Sequence, residues 1–197
     1  MTFAMISNCL LCGVGGQGTV LASKLIAAAA MEKGLEVKTA ETIGMSQRGG
    51  CVASHVRVGK DIHSPQIPLG EADVLIAFEP AEAVRCLPYL KKGGAAIVSS
   101  RAIVPVSSTI GGIQYSAEQM TEYLKSRVER LVLVDTDEAA ARLGTSKAVN
   151  VALLGAAIRS GGIPQISEED MEKAVGKLIK PQFLELNLRA LKLIEEK

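Results

Sequence analysis

Gly13-Val14-Gly15-Gly16-Gln17-Gly18 constrains this chain more than any other stretch. A short apolar segment, Met5 to Cys12, runs into it. An Ala-rich segment from Val20 to Lys33 follows, with Leu21, Leu25 and Ala28 at helical spacing and Gly34 at the C′ position. Strand, glycine loop and helix form the context in which such a fingerprint carries meaning. Gly13 is expected to make the tight turn, Gly15 to leave room for a phosphate or a ligand backbone, and Gly18 to let helix and strand pack closely. The free N–H groups of the helix's first turn then favour an anion above the loop. The bland alternative is a close β–α turn with nothing bound.

The remaining chain repeats that alternation. Leu35 to Ala40 reads as a second strand, parallel to the first through a crossover. A polar glycine loop follows, Met45-Ser46-Gln47-Arg48-Gly49-Gly50. Cys51 to Arg57 alternates as a strand, Gly59-Lys60-Asp61 as a turn, and Ile62-His63-Ser64 as a short return strand, giving a β-hairpin insertion. Ala72 to Phe78 is apolar on both faces, as parallel strands are, and Pro80 opens a helix through Tyr89. Further strands are expected at 95–99 and 131–135, the latter buried, with a helix between them capped by Ser116. From Lys147 onward the pattern is helical, with Ser167 as an N-cap and Pro181 opening the last helix. The expected fold is α/β: a Rossmann-like, doubly wound, mainly parallel sheet with a hairpin insertion and a helical C-terminal part. One domain is expected over 1–197, its α/β core reaching about residue 145.

Charge and cysteines narrow the function classes. Lys plus Arg number 22 against 21 Asp plus Glu, a balance that disfavours nucleic acid or an anionic membrane as partner. No apolar run has spanning length, and the first residues lack a basic leader, so a cytoplasmic protein is expected. Cys9 and Cys12 have metal or redox spacing, yet three positions apart on a strand their side chains diverge to opposite faces. A metal or iron–sulfur centre in this chain is therefore not expected.

Catalytic groups are missing from the pattern. His55 and His63 have no ligand spacing, and neither a P-loop nor a nucleophile elbow occurs. Glu41 lies about 20 residues beyond the loop, where a dinucleotide fold keeps its ribose-binding acid. A free-standing NAD- or FAD-binding enzyme using Gly13, Gly15, Gly18 and Glu41 is thus one reading. Arg48, between Gln47 and two glycines, offers a planar fork for a phosphate or carboxylate.

Gly13 to Gly18, Gly44-Met45-Ser46-Gln47-Arg48-Gly49-Gly50, Ser54-His55-Val56-Arg57 and Ser64-Pro65-Gln66-Ile67-Pro68 together carry a resemblance. Gly70 to Asp73, Phe78-Glu79-Pro80, Asn150 to Gly155 and Phe183 to Leu188 continue it in order. The chain resembles the γ-type subunit of 2-oxoacid:ferredoxin oxidoreductases, most of all the indolepyruvate branch, over nearly its whole length. The resemblance implies a complex that oxidatively decarboxylates a 2-oxoacid, reduces ferredoxin and forms an acyl-CoA. It implies that thiamine diphosphate and the iron–sulfur clusters lie in partner subunits, and that this chain alone has no activity. Its direct partner would be the thiamine-diphosphate subunit, with ferredoxin reached indirectly, coenzyme A as co-substrate and a homodimer as a form of the isolated chain. Gly13, Gly15, Gly16, Gln17, Gly18, Met45, Ser46, Gln47, Arg48, Gly49 and Gly50 are the ligand- or partner-binding candidates.

Overall fold

The computed structural model describes residues 6–41, 50–104 and 115–194. Among these residues six strands form one sheet, in the order β2-β3-β1-β4-β5-β6. They are β1 (Ser7–Val14), β2 (Glu36–Glu41), β3 (Cys51–Gly59), β4 (Ala72–Ala77), β5 (Leu90–Ser99) and β6 (Arg130–Val134). β1, β4, β5 and β6 run parallel, and β3 is antiparallel to both β1 and β2. The mainly parallel α/β sheet agrees with the sequence pattern. The hairpin does not: β3 inserts between β1 and β2, and residues 62–64 form no strand. β2 keeps the direction of β1 without pairing with it.

The irregular segment after β3 has a physical anchor. Arg57 Nη1 donates to the Ser64 carbonyl at 3.0 Å, and Ile67 N donates to His55 Nδ1 at 3.2 Å. His55 also meets the Tyr89 ring edge-on, 5.6 Å between centroids. These side chains alternate with Val56 and Val58, which are fully buried on the other face. The wet side foreseen for β3 thus receives a loop rather than a strand.

His55 gives a pH prediction. Burial lowers its pKa, so the native state favours the neutral ring whose Nδ1 accepts from Ile67. A group with a lowered native pKa holds its full stabilisation above the unfolded value, about 6.5, and loses it as pH falls below that. Denaturant midpoints should therefore fall more between pH 7.5 and 5.5 for the native chain than for His55→Gln. Equal slopes would show that the ring does not titrate against this contact.

Helices cover both faces. α1 (Thr19–Glu32) follows β1, while α2 (Pro80–Cys86) and α3 (Ala117–Arg127) cover the opposite face. α4 (Thr136–Leu143), α5 (Val149–Arg159), α6 (Glu168–Leu178) and α7 (Pro181–Leu191) complete the described chain. Alternating β1 residues divide between two cores: Cys9 and Leu11 pack with α1, α5, α6 and α7, Leu10 and Cys12 with α2 and α3. Burying a Leu or Ile side chain fully is worth about 1.5–3 kcal/mol, so these two layers rather than any aromatic cluster hold the sheet.

Caps fix where the helices start. Ser167 and Asp170 form a reciprocal capping box on α6, Ser116 Oγ accepts from Gln119 N, and Asp135 caps α4. Gly34, at φ 73°, closes α1 as its C′ residue. The helix after Pro80 is shorter than its pattern suggests, because α2 ends at Cys86 and Leu87–Tyr89 is a 3₁₀ turn. β6 also departs from expectation. It is an edge strand rather than a buried one, and Leu133 is 37% exposed. Among the described residues no helix is long and apolar enough to cross a membrane.

Candidate functional site

β1 and β4 are neighbours, yet the chain leaves them to opposite faces, through α1 and α2. A crevice opens beyond the carboxyl ends of two such strands, and ligands of open α/β sheets collect there. Here the glycine loop forms one bank and Phe78-Glu79-Pro80 the other.

The loop uses its glycines differently from the simple fingerprint. Gly13 belongs to β1, opposite Val52, and does not make the turn. A Cβ on it would lie 2.7 Å from Gln17 Oε1 and 2.9 Å from Phe78 Cβ. The turn falls to Gly16 and Gly18, at φ 97° and 83°, which L side chains rarely adopt. Gly18 is the N-cap of α1 and provides no side-chain acceptor, so the first-turn N–H groups keep no capping partner. Gly16 is exposed at the tip.

Gln17 is fastened to the fold. Its Oε1 accepts from Val14 N at 2.7 Å, and its Nε2 donates to the Phe78 carbonyl at 2.7 Å. Phe78 N in turn donates to the Cys12 carbonyl at 2.8 Å. One side chain therefore staples the loop to the end of β4. Gly15 N donates to the Gly50 carbonyl at 3.0 Å, so the end of the second glycine segment meets the first. Met45, Ser46, Gln47, Arg48 and Gly49 lie outside the described residues.

Two residues that the motif pattern did not single out as binding candidates complete the crevice. Asn150, 5% exposed at the start of α5, donates from Nδ2 to the Gly18 carbonyl at 3.3 Å. Any Cβ on Gly18 would lie 2.6 Å from that nitrogen. Asn150 Oδ1 is buried and has no hydrogen-bond partner among the described residues. Glu79, 1% exposed, caps α2 by accepting from Glu82 N at 3.0 Å and also accepts from the Tyr115 hydroxyl. Burial first, and then the hydrogen bond and charge of Glu79, push the Tyr115 phenol above its ordinary range. Glu79 was legible as an acid before an N1 proline and as part of the Phe78-Glu79-Pro80 segment, and neither signal names its long-range partner.

Glu41 is not placed as a ribose ligand. Its carboxylate accepts from Ser23 Oγ on α1 at 2.9 Å, and β3 separates β2 from the glycine loop's strand. Cys9 and Cys12 do diverge to opposite cores, and burial pushes the Cys9 thiol up to about 12. No group of three or more His, Cys, Asp or Glu among the described residues is arranged to hold a metal. A separate cleft of about 630 Å³ runs beside β6, between Leu131 to Asp135 and Arg142, Arg159 and Ile194. It lies at the sheet's outer edge, three strands from β1, and brings together no catalytic pair.

A family model described as pyruvate ferredoxin/flavodoxin oxidoreductase matches residues 8–195. Indolepyruvate oxidoreductase subunit IorB of Archaeoglobus fulgidus is 42% identical over 187 residues, 94% of this chain and 92% of that protein. The crystal structure of a keto/oxoacid ferredoxin oxidoreductase gamma subunit from Geobacter sulfurreducens superposes with a TM-score of 0.68 at 24% identity, covering 95% of both chains. A 2-oxoglutarate:ferredoxin oxidoreductase from Magnetococcus marinus, with 2-oxoglutarate, coenzyme A and succinyl-CoA bound, gives 0.69 at 21% identity. That match covers 95% of this chain but 30% of the other, so the same fold recurs as one part of a longer polypeptide.

Proposed function

Since the chain belongs to the pyruvate ferredoxin/flavodoxin oxidoreductase family, we propose that it is the γ-type subunit of a 2-oxoacid:ferredoxin oxidoreductase acting on indolepyruvate or a related 2-oxoacid. The observation that carries this reading is the 42% identity to an indolepyruvate oxidoreductase subunit along almost the whole of both chains. The 1–197 chain works as one domain of the assembly, in the cytoplasm. A partner subunit holds the thiamine diphosphate and the iron–sulfur clusters, and the complex converts 2-oxoacid and coenzyme A into acyl-CoA and carbon dioxide while reducing ferredoxin. This subunit contributes shape and anion-binding surface. Its glycine loop and the 45–50 segment face the catalytic subunit or the coenzyme A phosphates. The uncapped first turn of α1 and the Gly15–Gly50 hydrogen bond support that assignment.

Reconstitution with the thiamine-diphosphate subunit tests it. The isolated chain is expected to be colourless, to leave NADH fluorescence unchanged and to turn over no 2-oxoacid. The complex is expected to be active. Arg48→Ala should weaken assembly or raise the apparent KM for coenzyme A by roughly tenfold, the scale of one charge-assisted hydrogen bond. Arg48→Lys should recover only part, because the planar fork is lost. Micromolar NADH binding by the isolated chain would overturn the proposal in favour of a dinucleotide enzyme. Unchanged assembly and coenzyme A kinetics in Arg48→Ala would reduce that loop to a surface turn.

A further inference from the structure

Beneath the glycine loop lies a thiol pair that the subunit reading does not use. Cys12, fully buried on β1, and Cys86, 1% exposed in the last turn of α2, belong to the same apolar layer. Cys12 Sγ donates to the Glu82 carbonyl at 3.4 Å, one helical turn before Cys86. Helical side chains lean back toward the N-terminus, which brings the Cys86 sulfur over that same turn. Both thiols thus point at the Glu82 turn, and neither is in a disulfide. The Arg85 guanidinium, paired with Glu82 at 2.5 Å, stands beside Cys86.

The members of the pair differ in reactivity. The neighbouring Cys12 side chain and then the Arg85 charge lower the Cys86 pKa against its burial, while burial raises that of Cys12. A thiol shifted toward ionisation, on the same turn as one shifted away from it, matches the order of a nucleophile and its resolving partner. Cys9, behind the sheet, has no such neighbour. Cys51 is exposed on the α2 side of β3.

We propose that Cys12 and Cys86 form a redox modification site, oxidised by hydrogen peroxide to a disulfide that ties β1 to α2 under the glycine loop. The Cys86 thiolate attacks one peroxide oxygen, the O–O bond breaks, and the departing hydroxide takes a proton to leave as water. Cys86 is then a sulfenic acid. Cys12 sulfur attacks the Cys86 sulfur, the S–O bond breaks, and the second oxygen leaves as water with the Cys12 proton. Two thiols have lost two hydrogens, and one peroxide has become two waters. The oxidant must be small. Both sulfurs are covered, so a peptide disulfide cannot reach them as a water-sized peroxide can. Bond formation requires the two Cα atoms to come within about 7 Å.

The full chain, reduced and freed of reductant, would be exposed to hydrogen peroxide, alkylated on unfolding and digested for mass spectrometry. The expected product is a Cys12–Cys86 linked peptide, two hydrogens lighter than its parts and separated again by dithiothreitol. Cys51→Ser should retain the link, and Cys86→Ala should lose it and leave Cys12 open to alkylation. Should Cys86→Ala not fold, the native chain and Cys51→Ser decide the matter alone. Oxidation confined to Cys51, or a link from Cys12 to Cys51 in place of Cys86, would overturn the assignment.

Discussion

Gly155→Ala is expected to lower the melting temperature by about 10 °C or more and to loosen the last helix. α5 and α7 cross with their backbones nearly touching at this residue. A Cβ there would lie 1.9 Å from the Leu191 carbonyl oxygen and 2.9 Å from its carbon, atoms no rotamer change can move aside. Alanine would otherwise favour the helix by up to about 1 kcal/mol, far less than the cost of pushing one helix off another. The same crossing is held by Arg159, whose Nε donates to the Ile194 carbonyl at 2.8 Å and Nη2 to that of Leu191 at 2.9 Å, while Nη1 pairs with Glu168 at 2.8 Å. Moving α7 outward strains the two carbonyl contacts at once. A loss of about 3–5 kcal/mol follows, and in a chain of this size each kcal/mol shifts the midpoint by roughly 2–4 °C. Thermal unfolding and limited proteolysis near residue 180 would measure it. A midpoint within about 2 °C of the native chain would show that the helices can part cheaply.

That crossing was only partly legible in the sequence. Asn150-Val151-Ala152-Leu153-Leu154-Gly155 reads as a helix with one apolar face, and the structure agrees. Nothing local says that Gly155 must be bare, because the clash comes from a helix some 35 residues further on. The same limit governs the sheet. Period and punctuation placed the strands within a few residues, since β1, β4 and β5 are apolar on both faces and bounded by Gly, Pro or caps. They could not place β3 between β1 and β2, for strand order depends on pairing across a loop and not on the strand's own pattern. β6 misled for a related reason. Leu131 to Val134 has the composition of a central strand, but among the described residues no seventh strand covers its outer edge. The candidate site divides similarly. The glycine segments were found as motifs, and Gly15 and Gly50 do meet. Gln17 was read as a ligand- or partner-binding candidate, and in the fold its amide bridges Val14 and Phe78. Asn150 closes onto Gly18 from more than a hundred residues away, beyond the reach of any short motif.

Glu79→Ala is the other substitution expected to be costly, and it separates support of the crevice from its chemistry. The carboxylate ends β4, caps α2 and holds the Tyr115 hydroxyl, all while 1% exposed. Losing an N-cap costs about 0.5–2 kcal/mol, and losing a hydrogen bond to a charged group about 1.5–3. Together they predict a loss of about 2–5 kcal/mol, at the edge where β1 and β4 part company. Glu79→Gln keeps an acceptor for Glu82 N and a partner for Tyr115 but removes the charge, so it should lose less than half as much. Tyr115 supplies a readout that simple destabilisation would not move. Its phenol titrates above the usual range through burial, then through the bond to Glu79 and its charge. In ultraviolet titration of the three tyrosines, one should therefore ionise at lower pH in both variants, more so in Glu79→Ala. If every tyrosine titrates as in the native chain, Glu79 and Tyr115 are not coupled, and the wall of the crevice opposite the glycine loop stands without that bond.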